Sequence, residues 1–413
     1  MTTRSGRTTG VVVRGIEESE FDAVVDTMSL VFGSERNEEQ RARFRRIFEL
    51  ERARCAFADR QMVGTAGAFS LELTVPGGSV ACGGTTFVSV LPSHRRRGVL
   101  RMLIESHLED VRDRGEPIAA LWASESSIYG RFGFGQASER IDITIPRSHV
   151  DLHRLVPPPA EVRLVDLEKA KTLLPKLYDS ARRHWPGFLA RSETWWEVRY
   201  FHDSPDHREG ASPYRYAVAY LGGKPAGYAQ YRFKPDWSGD HGSGKVIVTE
   251  LVSVQPGPTA GLWGYLLNHD LCKEIVAEGR SSSDPVIDLL AAPRRAIRQP
   301  GDGIWVRLVD IPTALAARRY SADAGLTIEV TNPDRVRAGK VRLEVEDGRA
   351  SCAKTTRRAD VTLDLEDLGA CYLGRSRFAE LAAAGRVAGS AEMLRRADAM
   401  FTWQPQPWCP EIF

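Results

Sequence analysis

Cysteine is sparse in this 413-residue chain. The six cysteines are Cys55, Cys82, Cys272, Cys352, Cys371 and Cys409, and no two stand at Cys-x-x-Cys spacing. A zinc ribbon, a redox dithiol and a disulfide-rich secreted scaffold are poorly supported, and a reduced, cytoplasmic compartment is expected. Charge of one sign is also lacking. Lys and Arg number 56 against 54 Asp and Glu, a net charge of +2, far from the basic excess of an extended nucleic-acid surface. No apolar run approaches the roughly 20 residues of a membrane-spanning helix. The opening Met1-Thr-Thr-Arg-Ser-Gly-Arg lacks the apolar core of a secretion signal. No Gly-x-Ser-x-Gly elbow announces a serine nucleophile. Gly130, Gly133 and Gly135 do not match a dinucleotide loop. Phe201-His-Asp-Ser-Pro-Asp-His holds two His and two Asp, but Pro205 makes it a polar surface turn, and no metal is expected.

What remains is ordinary globular usage, 42% hydrophobic and 27% charged, so the chain can bury cores of its own. At roughly 150 residues per domain, two or three domains are expected. The class is α/β (α+β). Pro157-Pro-Pro and Pro300-Gly-Asp-Gly mark linkers, dividing the chain into 1–155, 156–300 and 301–413. In the first part, Phe21, Val24, Val25, Met28 and Phe32 fall at helical spacing. Strands are expected over 61–73, 80–90 and 118–123, with a helix over 99–111. The second part reads as a helix over 167–183, three strands between 214 and 254, a helix over 261–278 and a strand over 286–290. The last part carries strands over 341–345 and 361–365 and a helix near 379–384.

One unit occurs twice. Val88-Ser-Val-Leu-Pro and Val252-Ser-Val-Gln-Pro each end a strand and lead to a glycine and a helix, 164 residues apart. The first copy continues Ser93-His-Arg-Arg-Arg-Gly, the second Gly257-Pro-Thr-Ala without charge. Fold duplication with loss of one ligand site is the favoured reading, with a chance match of so short a string as the alternative. The arginines of the first copy stand at the start of a helix expected near Arg96. A helix amino end prefers anions, so this charge is unfavourable until a polyanion binds. Backbone amides there would cradle phosphate oxygens, Gly98 would let them come close, and Arg95, Arg96, Arg97 and Arg101 would add charge-assisted contacts. A solvated basic turn and a local nucleic-acid contact are the alternatives.

Two groups further on can move protons. Tyr129 lies in Tyr-x-x-x-Gly-Phe after the next strand; a phenol is protonated at neutral pH and can donate to a thiolate. The tail from Phe401 to Phe413 carries Trp403, Trp408 and Phe413 among Pro405, Pro407 and Pro410. Extended and aromatic, it should dock and bring in its terminal carboxylate, a fixed anion able to take a proton from an ammonium, or serve simply to anchor the tail. Asp22 and Asp26 share a helix face that could attract a cationic amine or simply face solvent.

The arginine segment resembles the acetyl-CoA motif of the GNAT superfamily of N-acetyltransferases. That resemblance implies Val88, Ser89 and Val90 beside the pantetheine, and Arg96, Arg97, Gly98, Val99, Leu100 and Arg101 around the phosphates. The whole layout further resembles the enhanced intracellular survival (Eis) family. The resemblance rests on Pro92-Ser-His-Arg-Arg-Arg-Gly-Val-Leu-Arg, Ala123-Ser-Glu-Ser-Ser-Ile-Tyr-Gly-Arg-Phe-Gly, Asp302-Gly-Ile-Trp-Val-Arg-Leu-Val-Asp-Ile-Pro-Thr-Ala-Leu and Tyr372-Leu-Gly. It implies an active GNAT domain, a degenerate second one and a sterol-carrier-protein-like third domain whose tail reaches the active site. It further implies Ser124 and Glu125 at the cofactor, Tyr129 as general acid and the Phe413 carboxylate as general base. Direct transfer of acetyl from acetyl-CoA to amines of aminoglycosides, lysines or polyamines is implied, as is a homo-hexamer without nucleic-acid or membrane partners. The family carries an acidic residue next to the end; here Ile412 stands there and Glu411 one step earlier, a substrate contact by analogy. A non-catalytic ligand carrier with an idle acetyltransferase fold is the alternative.

Overall fold

The computed structural model describes residues 10–153, 159–331 and 339–413. Pro157 and Pro158 of the expected linker and the Met1–Arg7 opening lie outside these residues. The chain opens with β1 (Val11–Arg14), α1 (Phe21–Phe32) and α2 (Glu38–Arg45). It continues through β2 (Arg54–Ala58), β3 (Gln61–Val75), β4 (Gly78–Val90), α3 (Val99–Asp113), β5 (Ile118–Trp122), α4 (Ser126–Tyr129) and β6 (Gly135–Gln136). Next come β7 (Glu139–Pro146), β8 (Glu161–Val165), α5 (Leu167–Arg182), α6 (Glu193–Trp195), β9 (Arg215–Leu221) and β10 (Lys224–Lys234). A small ribbon, β11 (Trp237–Ser238) and β12 (His241–Gly242), precedes β13 (Gly244–Ser253), α7 (Pro256–Leu267), β14 (Cys272–Ser281), α8 (Val286–Leu289), β15 (Ile297–Asp302) and β16 (Ile304–Leu308). The last part holds α9 (Ile311–Ala316), β17 (Gly325–Thr331), β18 (Gly339–Glu346), β19 (Arg349–Lys354), β20 (Val361–Asp364), α10 (Leu365–Tyr372), α11 (Phe378–Ala383), β21 (Val387–Gly389) and α12 (Ala391–Phe401).

Two seven-stranded sheets run β1-β2-β3-β4-β5-β16-β6 and β15-β7-β14-β13-β10-β9-β8, and a third runs β19-β18-β17-β20-β21. Sheet membership corrects the boundaries at 155 and 300. β7 belongs to the second sheet, between β14 and β15, while β16 returns to the first and pairs with β5 through Trp305 opposite Leu121. The reason is edge satisfaction: β5 presents unpaired backbone groups along its length, and the two-residue β6 is too short to cover them.

The helices pack where their apolar stripes predict. Phe21, Val24, Val25 and Met28 of α1 bury against Cys55 and Phe87, while Val99 and Leu103 of α3 bury against Val63, Ala66 and Val90. The first sheet also shares a core with the third: Leu73, Ile118 and Val306 pack with Leu326, Leu343, Tyr372 and Phe401. α10 lies so close that a Cβ on Gly135 would stand 1.8 Å from the Glu366 carbonyl oxygen, so only glycine fits there.

Two local expectations fail in the second part. The helix expected over 261–278 ends at Leu267, and 272–281 is the strand β14, held between β13 and β7 with Ile275 and Ala277 buried. Asn268-His-Asp and a positive φ at Leu271 break the helix; tertiary pairing then overrides the local pattern. The strand expected over 286–290 is a single helical turn, whose Val286 N–H donates to the Asp284 carboxylate. Among the described residues no helix is long and apolar enough to cross a membrane.

Candidate functional site

β4 and β5 pair in parallel only from Cys82–Ile118 to Gly84–Ala120. Beyond Gly84 the strands part. A bulge in the β3–β4 register and a positive φ at Phe87 bend β4 at this point. The Thr65 hydroxyl donates to the Phe87 carbonyl at 2.6 Å and lies 2.7 Å from the Ser89 hydroxyl, tying the bent strand to β3. The split opens into a cleft of about 640 Å³ lined by Val88, Ser89, Val90, Arg95, Arg96, Gly98, Val99, Leu100, Arg101, Ser124, Glu125, Ile128 and Tyr129.

The arginine loop differs from expectation in one respect. α3 begins at Val99, not near Arg96, and Arg95–Arg97 form the turn before it, with Arg96 and Gly98 both at positive φ. Gly98 supplies no capping side chain and the first turn holds no acidic residue. The leading N–H groups of α3 therefore have no intrahelical acceptor. Orphan amides, guanidiniums and a roomy groove along a bent strand are a fit for a diphosphate joined to an extended arm. Arg97 is exposed and does not line the cleft.

A second cavity, about 420 Å³, meets this cleft at Phe32, Val88, Ser124 and Tyr129. Tyr129 sits at the end of α4 with its ring edge-on to Phe134 at 6.2 Å. Burial pushes its phenol above the ordinary value, against a smaller pull from a hydrogen bond with Ser124. It stays protonated and available as a donor. Across the same cavity lie Phe413 and Ile412, with Thr85, Trp122, Arg36, Phe44 and Arg199.

Glu411 is not a substrate contact, which corrects the analogy drawn from the sequence. Its carboxylate is 1% exposed and bonded by Arg191, by Tyr200 at 2.6 Å, by the Trp195 indole at 3.1 Å and by Tyr178 at 3.3 Å. Burial pushes Glu411 up, but Arg191 and these donors outweigh it and hold it below the usual carboxylate value. Arg191 also carries Glu250. Arg199 donates to the Ile412 carbonyl, so the last three residues are fixed from the second domain. Asp22 and Asp26 likewise stand away from both cavities, on the face of α1 that is ion-paired to Arg41 of α2.

Sequence reasoning missed Arg36, Phe44, Trp122 and Arg199. No local pattern marks them: Arg36 lies in the turn after α1, and Arg199 arrives from the second domain. The Phe201–His207 turn is accounted for by Asp203, which pairs with Arg208 and Arg232 and accepts from the Tyr214 N–H.

Comparisons with known proteins agree with this fold. Residues 12–137 and 187–308 each match an acetyltransferase (GNAT) domain model, and 311–410 match a sterol carrier protein domain model. An uncharacterised N-acetyltransferase of Streptomyces avermitilis is 36% identical over 97% of this chain and 99% of its own. N-acetyltransferase Eis of Mycobacterium tuberculosis is 34% identical over 83% of each chain. The crystal structure of Eis1 from Mycobacterium abscessus superposes with a TM-score of 0.84 at 29% identity, over 97% of this chain and all of that one.

Proposed function

The chain belongs to the Eis family of GNAT N-acetyltransferases, and from that premise we propose that it moves acetyl from acetyl-CoA directly to a primary amine, with Tyr129 as general acid and the Phe413 carboxylate as general base. The observation that carries this reading is the meeting of the two cavities at Tyr129, one basic and groove-shaped, the other closed by the chain terminus. The donor would lie along Val88–Val90 with its diphosphate on the Arg95–Arg101 turn. Ser124 and Glu125 would flank its arm.

The terminal carboxylate takes the proton of the substrate ammonium. The freed amine attacks the thioester carbonyl; the C–N bond forms and the C–S bond breaks. The departing thiolate takes the Tyr129 proton, and the second proton of the acylated nitrogen, passed through solvent, restores the phenol. Acetyl-CoA and an ammonium thus become an N-acetyl amine, free CoA and one proton. No acyl-enzyme is needed, because among the described residues no serine or cysteine lines the junction of the cavities except Ser124, already bonded to Tyr129. Aminoglycosides, lysine side chains and polyamines are the acceptors the family suggests. A homo-oligomer, six copies on the family pattern, is a further part of this reading.

The test is acetyl transfer followed by free-thiol release and by mass counting of the acceptor. Two residues added after Phe413 would displace the carboxylate and lower turnover by roughly 100-fold. An extended chain of full activity would remove the terminus from the base role.

A further inference from the structure

The charges around the acceptor cavity have a sign opposite to what a polycation needs. Its lining residues include two guanidiniums, Arg36 and Arg199, and no Asp or Glu side chain; the one anion is the chain terminus. An adjoining cavity shares Ser34, Arg36, Phe44 and Arg199 and adds Arg43, Arg232 and two histidines against a single Glu35. Arg232 is neutralised by Asp203. Arg36, Arg43 and Arg199 form no ion pair among the described residues. Arg36 stands 4.6 Å from the centre of the Phe44 ring, and Arg199 5.1 Å from that of Trp195. Burial pushes the Arg36 guanidinium down, and repulsion from Arg43, Arg199 and Arg41 adds to it. The carboxylates that might have offset this, Asp22 and Asp26, are spent on Arg41.

We propose, on the footing of the amine-acetylation reading above but in place of the polycationic acceptors the family suggests, that the acceptor is a primary amine that also carries an anionic group, a carboxylate or a phosphate, held by Arg36 and Arg199. Paired with that group, the two guanidiniums lose their mutual repulsion and gain charge-assisted hydrogen bonds. The same charges serve the chemistry. Positive neighbours disfavour an ammonium, so the acceptor nitrogen gives up its proton more readily to the terminal carboxylate. A polyamine or aminoglycoside would instead set several ammoniums against two guanidiniums that no carboxylate side chain neutralises, Arg36 and the Arg199 that already donates to the Ile412 carbonyl.

The full-length protein with saturating acetyl-CoA would be given matched acceptors: an amino carboxylate and its amide, an aminoalkyl phosphate and its alcohol, a polyamine and an aminoglycoside. The expected result is a kcat/KM at least about tenfold higher for one of the anionic amines than for its uncharged partner, with the polycations lowest. Whichever anionic arm leads names the group. Arg36→Glu should abolish or reverse that preference while acetyl-CoA affinity stays unchanged, and Arg36→Lys should restore part of it. Calorimetry with the acetylated anionic product, against its amide, checks the same contact without turnover. Preference for neutral or polycationic amines, or a preference untouched by Arg36→Glu, would overturn the inference and leave amine acetylation standing. Thiol release with none of the amines, acetyl-CoA being bound, would overturn both.

Discussion

The two copies of the Val-Ser-Val-x-Pro unit occupy matching places in two sheets. In both, the parallel pairing stops short: β4 leaves β5 after Gly84, and β13 leaves β14 after Val248. The gaps then diverge. In the first, a basic turn separates strand from helix and the split stays open. In the second, Pro256 starts α7 directly after Gln255, and the opening turns of that helix are buried, with Gly261 against the Ala160 carbonyl. Arg280 of β14 bridges the gap by donating to the Leu251 carbonyl. Trp408 of the tail donates to the Gly279 carbonyl and packs with Phe188, Trp196 and Val252. The second copy has thus lost its charge and its space, but not its split. In exchange it grips the tail, five residues before the terminus enters the first copy's cavity.

Ways to break that division of labour begin with the proposed acid. Tyr129→Phe should lower kcat by roughly 100- to 10,000-fold with acetyl-CoA affinity intact, read by thiol release and calorimetry. Because burial raises the Tyr129 pKa, the donor form persists past the ordinary phenol value, so turnover should not decline on this account below about pH 10. Next comes the grip itself. Arg191→Met would leave Glu250 and Glu411 buried without their cation, at a cost of about 3–5 kcal/mol in urea unfolding, and should free the terminus and its activity with it. Trp408→Ala would empty the second gap and cost about 3 kcal/mol. It should not create a second donor site, since no arginine turn waits there; calorimetry should still count one acetyl-CoA per chain.

The smallest effect concerns the helices after the two gaps. α3 buries His107, whose ring nitrogen lies 2.7 Å from the Thr85 hydroxyl, whereas α7 carries no charged side chain. Burial pushes His107 down from about 6.5 to about 3. The unfolded chain therefore takes a proton that the folded chain refuses. This stability is complete above the ordinary histidine value and is lost as pH falls towards about 3. The loss should reach about 1.4 kcal/mol one unit below that value. His107→Gln should flatten this part of a stability–pH curve measured by denaturant midpoints.

Local chemistry was enough for much of this. The stripe of Phe21, Val24, Val25 and Met28 specifies α1, and the run Ser93-His-Arg-Arg-Arg between a β-branched strand and an amphipathic helix specifies a basic turn at the mouth of the cleft. That Tyr129 would lie near the basic turn was legible because its motif follows that turn in order, and it lines both cavities. Glu411 was misassigned because sequence proximity to the terminus says nothing of the direction a side chain takes; Arg191 and Glu250, remote in the chain, decide it.

The sequence by itself determined the class of fold, the duplicated unit and the basic turn ahead of α3, since each follows from periodicity, turn chemistry and charge over a few neighbouring residues. Only the tertiary structure decided which strand completes which sheet, what fills the second gap and which charges line the cavity at the chain terminus. Those depend on residues far apart in the chain meeting at one place, and burial, not order along the chain, sets the energy of their meeting.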